Sequence, residues 1–399
     1  MSMLTLEKPY IQRIGEKSRL CCNVLLEGNA SEIWYEVERE YEPYLCAERC
    51  DAFVAAMFPY AMSHGMDLFV DGPVSAKLAY QLDHFLIPAL AKYTREFHMI
   101  KTHYASYSSE NFGGTGVGVG VSGGVDSFYT ILKNLNQENK EFNVTHLTFF
   151  NVGSHGDFGG EEAREIFRER AAAAKQLSDE LGLPFVAVDS NVSDILQMNF
   201  EATCAYRSLS AVLALQKLFG CYHFASGESI DMFHIDGIEA SYHDLLNVQC
   251  FSTEGTRIYS SGITENRFEK IGYIKDNPVV QKHLNVCISD SQNCGHCDKC
   301  IRTVNALYAL GVLDSFGAAF DVEDYLSNLD ERLGYMLEMK DGREYVNVNH
   351  REAYAYMMEN NIEIPDGAYA YAKKKANEKR KRRFKNGIKA RLRKLGWKG

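Results

Sequence analysis

Between residues 109 and 318, short apolar segments rich in β-branched and aromatic residues alternate with longer segments of helical periodicity. The pattern predicts strands at 117–121, 144–150, 185–188 and 222–225, and helices at 127–135, 161–181 and 203–219. Such alternation is typical of a parallel sheet covered by helices on both faces. We therefore expect an α/β fold with a parallel, doubly wound sheet that binds ligands beyond the carboxyl ends of its strands.

The flanking segments have patterns of their own. Strand-like runs at 18–26 and 32–37 are separated by Gly28-Asn29-Ala30-Ser31 and predict a hairpin, and helical patterns follow at 47–62 and 75–97, the latter opening after Asp71-Gly72-Pro73. Helical patterns at 321–339 and 351–358 follow the central segment. These patterns predict four parts: a small N-terminal accessory α/β domain at 1–108, the central domain at 109–318, a helical extension at 319–371 and a basic tail at 372–399.

The first central strand leads into the segment Ser122-Gly123-Gly124-Val125-Asp126-Ser127, which also begins the first helix. The two glycines allow successive backbone N–H groups to turn toward a phosphate, and the hydroxyls of Ser122 and Ser127 are further donors. Because no lysine follows the glycines, the segment is not a Walker loop. We predict a phosphate site here; the alternative is an ordinary Ser-Gly turn.

Two further polar loops follow predicted strands. Residues 151–157 contain Asn151 and His155 among glycines, which fits adenosine contact, a metal-phosphate role or a simple turn. Residues 226–231 contain Gly227 and two carboxylates, which fit Mg²⁺, a polar substrate or a solvated loop. Both loops are candidates for one site with residues 122–127, because the carboxyl ends of parallel strands share one edge of a sheet.

Four of the eleven cysteines are spaced as ligands of one tetrahedral metal ion. They are Cys287, Cys294, Cys297 and Cys300. We favour a structural Zn²⁺, because four thiolates leave no open position for catalysis; an iron–sulfur cluster and redox-active thiols are the alternatives. His296, between the ligands, is expected at the surface, and the cysteines at 21, 22, 46 and 50 are interpreted as buried thiols.

Charge is distributed unevenly along the chain. From Lys373 to Lys398, fourteen Lys and Arg residues accompany one acid, Glu378, so this tail carries +13 and the remainder −23 of the total of −10. The tail is a candidate contact for nucleic acid or a membrane surface; the alternative is a solvated helix or disordered segment docked on the acidic body. With neither a signal-peptide pattern nor an apolar run of membrane-spanning length, the chain is expected to be cytoplasmic.

The Ser-Gly-Gly-x-Asp-Ser motif, between a Gly-Val strand and a helix, resembles the signature of the PP-loop ATP pyrophosphatases. Combined with the pattern Cys…Cys-Gly-x-Cys-x-x-Cys, it resembles the 7-cyano-7-deazaguanine synthases of that superfamily over residues 109–318. Tyr206-Arg207-Ser208 is loosely similar to an Arg-Asn segment of the same family. The resemblance implies a HUP-type sheet, a zinc site of four cysteines, and ATP, Mg²⁺ and Zn²⁺ as cofactors.

We accordingly expect ATP to be bound by Ser122, Gly123, Gly124, Val125, Asp126, Ser127, Asn151 and Gly227. Asp126, Ser127 and Arg207 are the expected catalytic residues, and Arg302 is a weaker candidate for phosphate or substrate contact; both arginines would serve equally in structural ion pairs. The flanking segments lie outside the resemblance, and residues 235–239 do not match the substrate-binding segment of the family. The acceptor therefore stays open.

The resemblance implies an ATP-dependent ligase that converts a carboxyl or carbonyl oxygen of a small substrate to an adenylate, with release of pyrophosphate. A nitrogen or sulfur donor then displaces AMP. Two alternatives belong to other classes: a PP-loop tRNA-modifying thiolase, and a nucleotide-binding scaffold without turnover. The oligomeric state, including a homo-oligomer, is open.

Overall fold

The computed structural model describes residues 3–26, 28–287, 292–341 and 345–394. The chain forms two compact units, Met1–Asn266 (unit 1) and Arg267–Gly399 (unit 2). The predicted boundaries near residues 108 and 318 do not coincide with this division, and residues 395–399 of the predicted tail lie outside the described part of the chain.

Unit 1 is built on a mixed sheet that contains eleven strands within the described residues. In chain order these are β1 (Met3–Leu6), β2 (Tyr10–Ile14), β3 (Lys17–Leu26), β4 (Asn29–Glu38), β5 (Asp67–Ser75), β6 (Thr102–Ser108), β7 (Gly116–Gly120), β8 (His146–Phe150), β9 (Phe185–Ser190), β10 (Phe219–Ala225) and β11 (Arg257–Ser261). The order across the sheet is β11-β10-β7-β8-β9-β4-β3-β1-β5-β6, and β2 pairs with β3.

The helices of unit 1 lie between these strands. They are α1 (Asp51–His64), α2 (Ala76–Gln81), α3 (Ile87–Tyr93), α4 (Val125–Asn134), α5 (Glu161–Leu181), α6 (Val192–Leu196), α7 (Cys204–Ala214) and α8 (Asp244–Cys250). A π-helical segment, Leu82–Leu86, connects α2 to α3. The predicted α/β class with a largely parallel sheet is confirmed.

Five parallel strands, β11-β10-β7-β8-β9, form the part of the sheet that leads into residues 122–127. From β7 the chain moves to β8 and β9 on one side, and then crosses to β10 and β11 on the other. Because crossovers between parallel strands are right-handed, this reversal puts α4 and α5 on one face and α7 and α8 on the other. In open α/β sheets, ligands bind beyond the carboxyl ends of the strands at such a reversal, which here lies between β7 and β10.

The predicted N-terminal hairpin is confirmed, with β3 and β4 paired from Lys17↔Glu38 to Leu26↔Asn29. The structure does not confirm a separate N-terminal domain, because β4 pairs antiparallel with β9 through Tyr35↔Ser190 and Glu36↔Asp189. The two segments also share one hydrophobic core. Residues 1–108 thus extend the parallel sheet and belong to the same compact unit.

The segment Asp71-Gly72-Pro73, expected as a turn before a helix, lies inside strand β5. The pairing of β5 with β6 shifts register between Val70 and Pro73, as in a β-bulge. A bulge accommodates a proline, which has no N–H to donate to the neighbouring strand. The helix begins only at Ala76, where the Ser75 hydroxyl accepts the backbone N–H of Leu78 as an N-cap.

Unit 2 is helical in its described residues. The helices are α9 (Arg267–Ile274), α10 (Pro278–His283), α11 (Asp298–Ala309), α12 (Val322–Ser327), α13 (Leu329–Met339), α14 (Tyr345–Glu359) and α15 (Asp366–Lys394). The single helix predicted at 321–339 is divided at Asn328. None of the described helices combines the length and the apolar composition needed to cross a bilayer.

Candidate functional site

The turn between β7 and α4 presents backbone N–H groups at the carboxyl end of a central strand. Gly123 has φ +75°, a left-handed conformation that side chains disfavour, and Gly124 precedes the first residue of α4. The first hydrogen bond of the helix runs from the Phe128 N–H to the Gly124 carbonyl. The N–H groups of residues 125–127 consequently point out of the helix N-terminus, where an anion is favoured.

The two serines of this turn hold its backbone in shape. Ser127 is buried, and its hydroxyl donates to the Gly120 carbonyl at 2.8 Å while it accepts the Ser122 N–H at 3.1 Å. The Ser122 hydroxyl accepts the Gly124 N–H at 3.3 Å and is exposed. The single proton of the Ser127 hydroxyl is thus committed to Gly120, so the structure gives this side chain a positioning role and leaves the Ser122 hydroxyl as the donor toward solvent.

Close packing explains a glycine in the preceding strand. A Cβ at Gly118 would lie 2.6 Å from the Tyr222 ring and 2.8 Å from the Phe219 ring, both on β10. The Tyr222 hydroxyl in turn hydrogen-bonds Thr148 on β8 at 2.7 Å, across β7. The small residue in β7 therefore allows large side chains from β10 to pass over the strand and reach β8.

The loop after β8 is anchored at its first residue. Asn151 is buried; its amide donates to the Asp189 carboxylate at 2.7 Å, and its N–H donates to the Val188 carbonyl at 2.9 Å. His155 packs between Phe149 and Phe167, with ring centroids 5.1 Å and 5.6 Å away. Burial lowers the pKa of His155 to about 4, so the ring is neutral at pH 7 and packs as an aromatic residue.

The side chain of Arg207, on α7, also holds the loop after β8 in place. The side chain is fully buried, and its guanidinium donates to the carbonyls of Asp157 at 2.8 Å and Met198 at 2.5 Å, and to the Ser193 hydroxyl at 3.2 Å. Burial lowers its pKa to about 10, so the group remains charged at neutral pH. These contacts favour a positioning role for Arg207 over the direct catalytic contact expected from the sequence.

Replacing Arg207 with methionine should destabilise unit 1 by about 3 kcal/mol, because it leaves buried carbonyl groups without their donor. Urea denaturation followed by circular dichroism measures the change. Arg168→Ala is the matched control, since Arg168 on α5 makes an exposed ion pair with Glu161 and should have little effect. Equal urea concentrations at the midpoint of denaturation for Arg207→Met and the control would contradict the positioning role of Arg207.

The loop after β10 contains the remaining predicted nucleotide contact, Gly227. Ser226 is buried, its N–H donates to the Ser261 carbonyl at 3.0 Å, and its hydroxyl donates to the Glu228 carbonyl at 2.9 Å. A Cβ on Gly227 would meet open space, with no atom within 4 Å. This residue therefore borders the open side of the loop, at the carboxyl edge that β10 shares with β7.

Unit 2 brings the four predicted metal ligands together. The sulfur atoms of Cys287, Cys294, Cys297 and Cys300 lie within 4.8 Å of one another, and those of Cys294 and Cys300 are 4.0 Å apart. Zn–S bonds of about 2.3 Å in a tetrahedron place sulfur atoms about 3.8 Å apart. The cluster can hold a metal ion such as zinc, and the prediction from cysteine spacing is confirmed at that level.

Backbone N–H groups are directed at one of these sulfur atoms. The N–H groups of His296 and Cys297 approach the Cys294 Sγ at 3.5 Å and 3.3 Å, in a turn that contains Gly295 with φ +71°. Although burial acts to raise the pKa of the Cys294 thiol, these hydrogen bonds help to lower it to about 7. A thiolate held in this way is prepared to bind a metal ion.

Side chains next to the cysteines connect them to the helices of unit 2. Asp298 accepts hydrogen bonds from His350 and Tyr335, each at 3.1 Å, and although burial acts to raise the pKa of Asp298, the bond with His350 helps to hold it below its ordinary value. The exposed His296 accepts from Arg332 at 2.8 Å through Nδ1, in agreement with its expected place outside the ligand set.

Asn293 is a structural residue that sequence reasoning missed. Its amide oxygen accepts the Val286 N–H at 2.9 Å, and its amide nitrogen donates to the carbonyls of Leu284 and Ala319 at 2.7 Å and 2.9 Å. It thereby ties the two ends of the cysteine loop together. Arg302, the weaker sequence candidate for phosphate contact, lies in unit 2, where its side chain is nearly buried 3.6 Å from Asp298.

Comparison with known proteins identifies no relative: no family model, no curated protein and no solved structure matches this chain.

Proposed function

We propose that unit 1 is an ATP-dependent, adenylate-forming ligase of the PP-loop type, with the HUP-type strand order. The observation that carries the proposal is the turn at residues 122–127, in which Gly123 is left-handed and the N-terminus of α4 opens beyond the central strand β7. This arrangement suits the pyrophosphate portion of ATP, since backbone N–H groups and the helix dipole both favour negative charge there. Strand reversal at β7 supports the same location.

The proposed chemistry is an in-line attack by a substrate carboxyl or carbonyl oxygen on the α-phosphorus of ATP. The bond from the α-phosphorus to the bridging oxygen breaks, pyrophosphate leaves, and an adenylate forms. The N–H groups of residues 125–127 stabilise the charge that develops on the leaving group. An incoming nitrogen or sulfur donor then displaces AMP, so no covalent enzyme intermediate is needed.

Asp126 is the residue of the turn best suited to hold Mg²⁺. It lies in the first turn of α4 and is partly exposed, and a carboxylate is the ligand type that Mg²⁺ prefers. The ion would supply charge neutralisation on the phosphates. Zn²⁺ at the four cysteines would have a structural role, because four thiolates complete its coordination.

The test is pyrophosphate release from ATP, measured with a panel of carboxylic acids in the presence of ammonia, amino acids or sulfide. With the correct acceptor, Asp126→Asn should lower kcat/KM at least about 100-fold, because it removes a charge from the phosphate site without changing its shape. Glu138→Gln is the matched control, since Glu138 is an exposed carboxylate beyond the end of α4. It should retain full activity.

The outcomes separate the competing functions. Full activity of Asp126→Asn would remove Asp126 from the mechanism. ATP binding without pyrophosphate release across the whole panel would favour a nucleotide-binding scaffold. Turnover that requires tRNA and a sulfur donor in place of a small acid would favour a thiolase.

A further inference from the structure

The last helix of unit 2, α15, is attached to the rest of the unit along one face. Ala368 is fully buried, and Tyr371 lies so close to α13 that a Cβ at Gly334 would be 2.7 Å from its ring. The Tyr371 hydroxyl donates to the Glu331 carboxylate of α13 at 3.1 Å. One side of the first half of α15 is therefore fixed against α13.

The basic residues of α15 divide according to this packing. Lys379 faces α13 and forms an ion pair with Glu338, and the Lys375 ammonium lies 5.3 Å from the centroid of the Tyr371 ring. By contrast, four exposed basic residues occupy helical positions directed away from α13: Lys373, Lys374, Arg380 and Lys381. They form two pairs separated by seven residues, or two helical turns, so they line one face.

The sequence continues this face with apolar residues. Phe384, Ile388 and Leu392 follow Arg380 at intervals of four residues within the helical segment that ends at Lys394. Positions four apart lie on the same side of a helix, so the row begins basic and becomes apolar along its length. A helix rich in Lys and Arg with such an apolar row is typical of segments that lie in the interface of a membrane.

We propose that the outward face of α15 binds the surface of a bilayer that contains anionic phospholipids. Lys373, Lys374, Arg380 and Lys381 contact the headgroups, and the row 384, 388 and 392 enters the boundary between headgroups and acyl chains. The apolar row favours a bilayer over RNA, because phosphate contacts along a nucleic acid require no apolar residues. The charge of −23 on the remainder of the chain disfavours contact of its other surfaces with an anionic bilayer.

Vesicle co-sedimentation of the full-length protein tests this interaction. We expect binding to phosphatidylcholine vesicles that contain phosphatidylserine, little binding to pure phosphatidylcholine, and weakening at high salt. Combining K373E, K374E, R380E and K381E should reduce binding at least about tenfold. The combination K92E, K101E, K140E and K175E is the matched control, because it makes the same charge change on exposed lysines of unit 1 and should bind as the unaltered protein does.

A second variant tests the apolar row. Combining F384S, I388S and L392S leaves every charge in place and should also weaken binding about tenfold, because it removes the part that enters the bilayer. The absence of binding to anionic vesicles, or equal loss in the matched control, would overturn the proposal. Tight, salt-dependent RNA binding that the variant with K373E, K374E, R380E and K381E loses and the matched control keeps, with no binding to vesicles, would assign this face to nucleic acid instead.

Discussion

Replacing Cys300 with serine should prevent the four-cysteine cluster of unit 2 from holding a metal ion and should lower the stability of this unit. Cys300 is the buried member of the cluster, and its neighbours connect the cluster to helices α11, α13 and α14 through Asp298, Tyr335 and His350. Structural Zn²⁺ sites contribute about 10–16 kcal/mol of apparent binding free energy, so we expect the free energy of unfolding to fall by at least about 3 kcal/mol.

Two measurements check this expectation. Elemental analysis should give about one zinc ion per unaltered chain and almost none in Cys300→Ser, and thermal denaturation should show an earlier transition. His296→Ala is the matched control, because His296 lies between the ligands but outside the ligand set, and it should keep the metal. Full metal content in Cys300→Ser would contradict the site, and visible absorption with bound iron would identify a cluster instead of zinc.

A valine at position 123 should weaken the ATP binding proposed for this turn without unfolding the protein. Gly123 has φ +75°, where a β-branched residue is strongly disfavoured, so the turn must change its backbone conformation. The N–H groups at the start of α4 would then no longer converge on one anion. We expect the Kd for ATP, measured by isothermal titration calorimetry, to rise at least about 100-fold, equivalent to about 2.7 kcal/mol.

Gly113→Val separates this local effect from general backbone strain. Gly113 precedes β7, has φ +72°, and has open space around an added Cβ. Both substitutions should therefore lower the melting temperature similarly, whereas only Gly123→Val should raise the Kd for ATP. Unchanged ATP affinity in Gly123→Val, or equal loss in both variants, would show that the turn is not the phosphate site.

Much of the local structure could be predicted because each element carries its own periodicity. The helix expected at 161–181 is α5, Glu161–Leu181, whose apolar positions repeat at helical spacing. The hairpin and the strand before the phosphate motif were also predicted, since β-branched residues and turn residues mark their limits. The cysteine cluster was predictable for the same reason, because cysteines separated by two residues form a compact turn wherever they occur.

The turn at residues 122–127 was predicted, but its hydrogen bonds were not. From the sequence, both serines were expected to be phosphate donors. The structure shows that the Ser127 hydroxyl donates to Gly120, seven residues earlier. The acceptor of the Ser127 hydroxyl depends on the geometry of the connection between β7 and α4. The spacing of residues in the sequence does not specify that geometry.

The sequence by itself determined the α/β class with a mostly parallel sheet, the position of the Ser122–Ser127 turn and the four cysteines that can hold a metal ion, because these depend on residues close together in the chain. Only the tertiary structure decided that 1–108 join the same sheet, through Tyr35↔Ser190 and Glu36↔Asp189. Only the structure showed that Arg207 holds backbone carbonyls. The pairing of β4 with β9 joins residues more than a hundred positions apart, so no local pattern predicts it. The partners of Arg207 include backbone carbonyl groups, which every residue has, so the sequence does not identify them either.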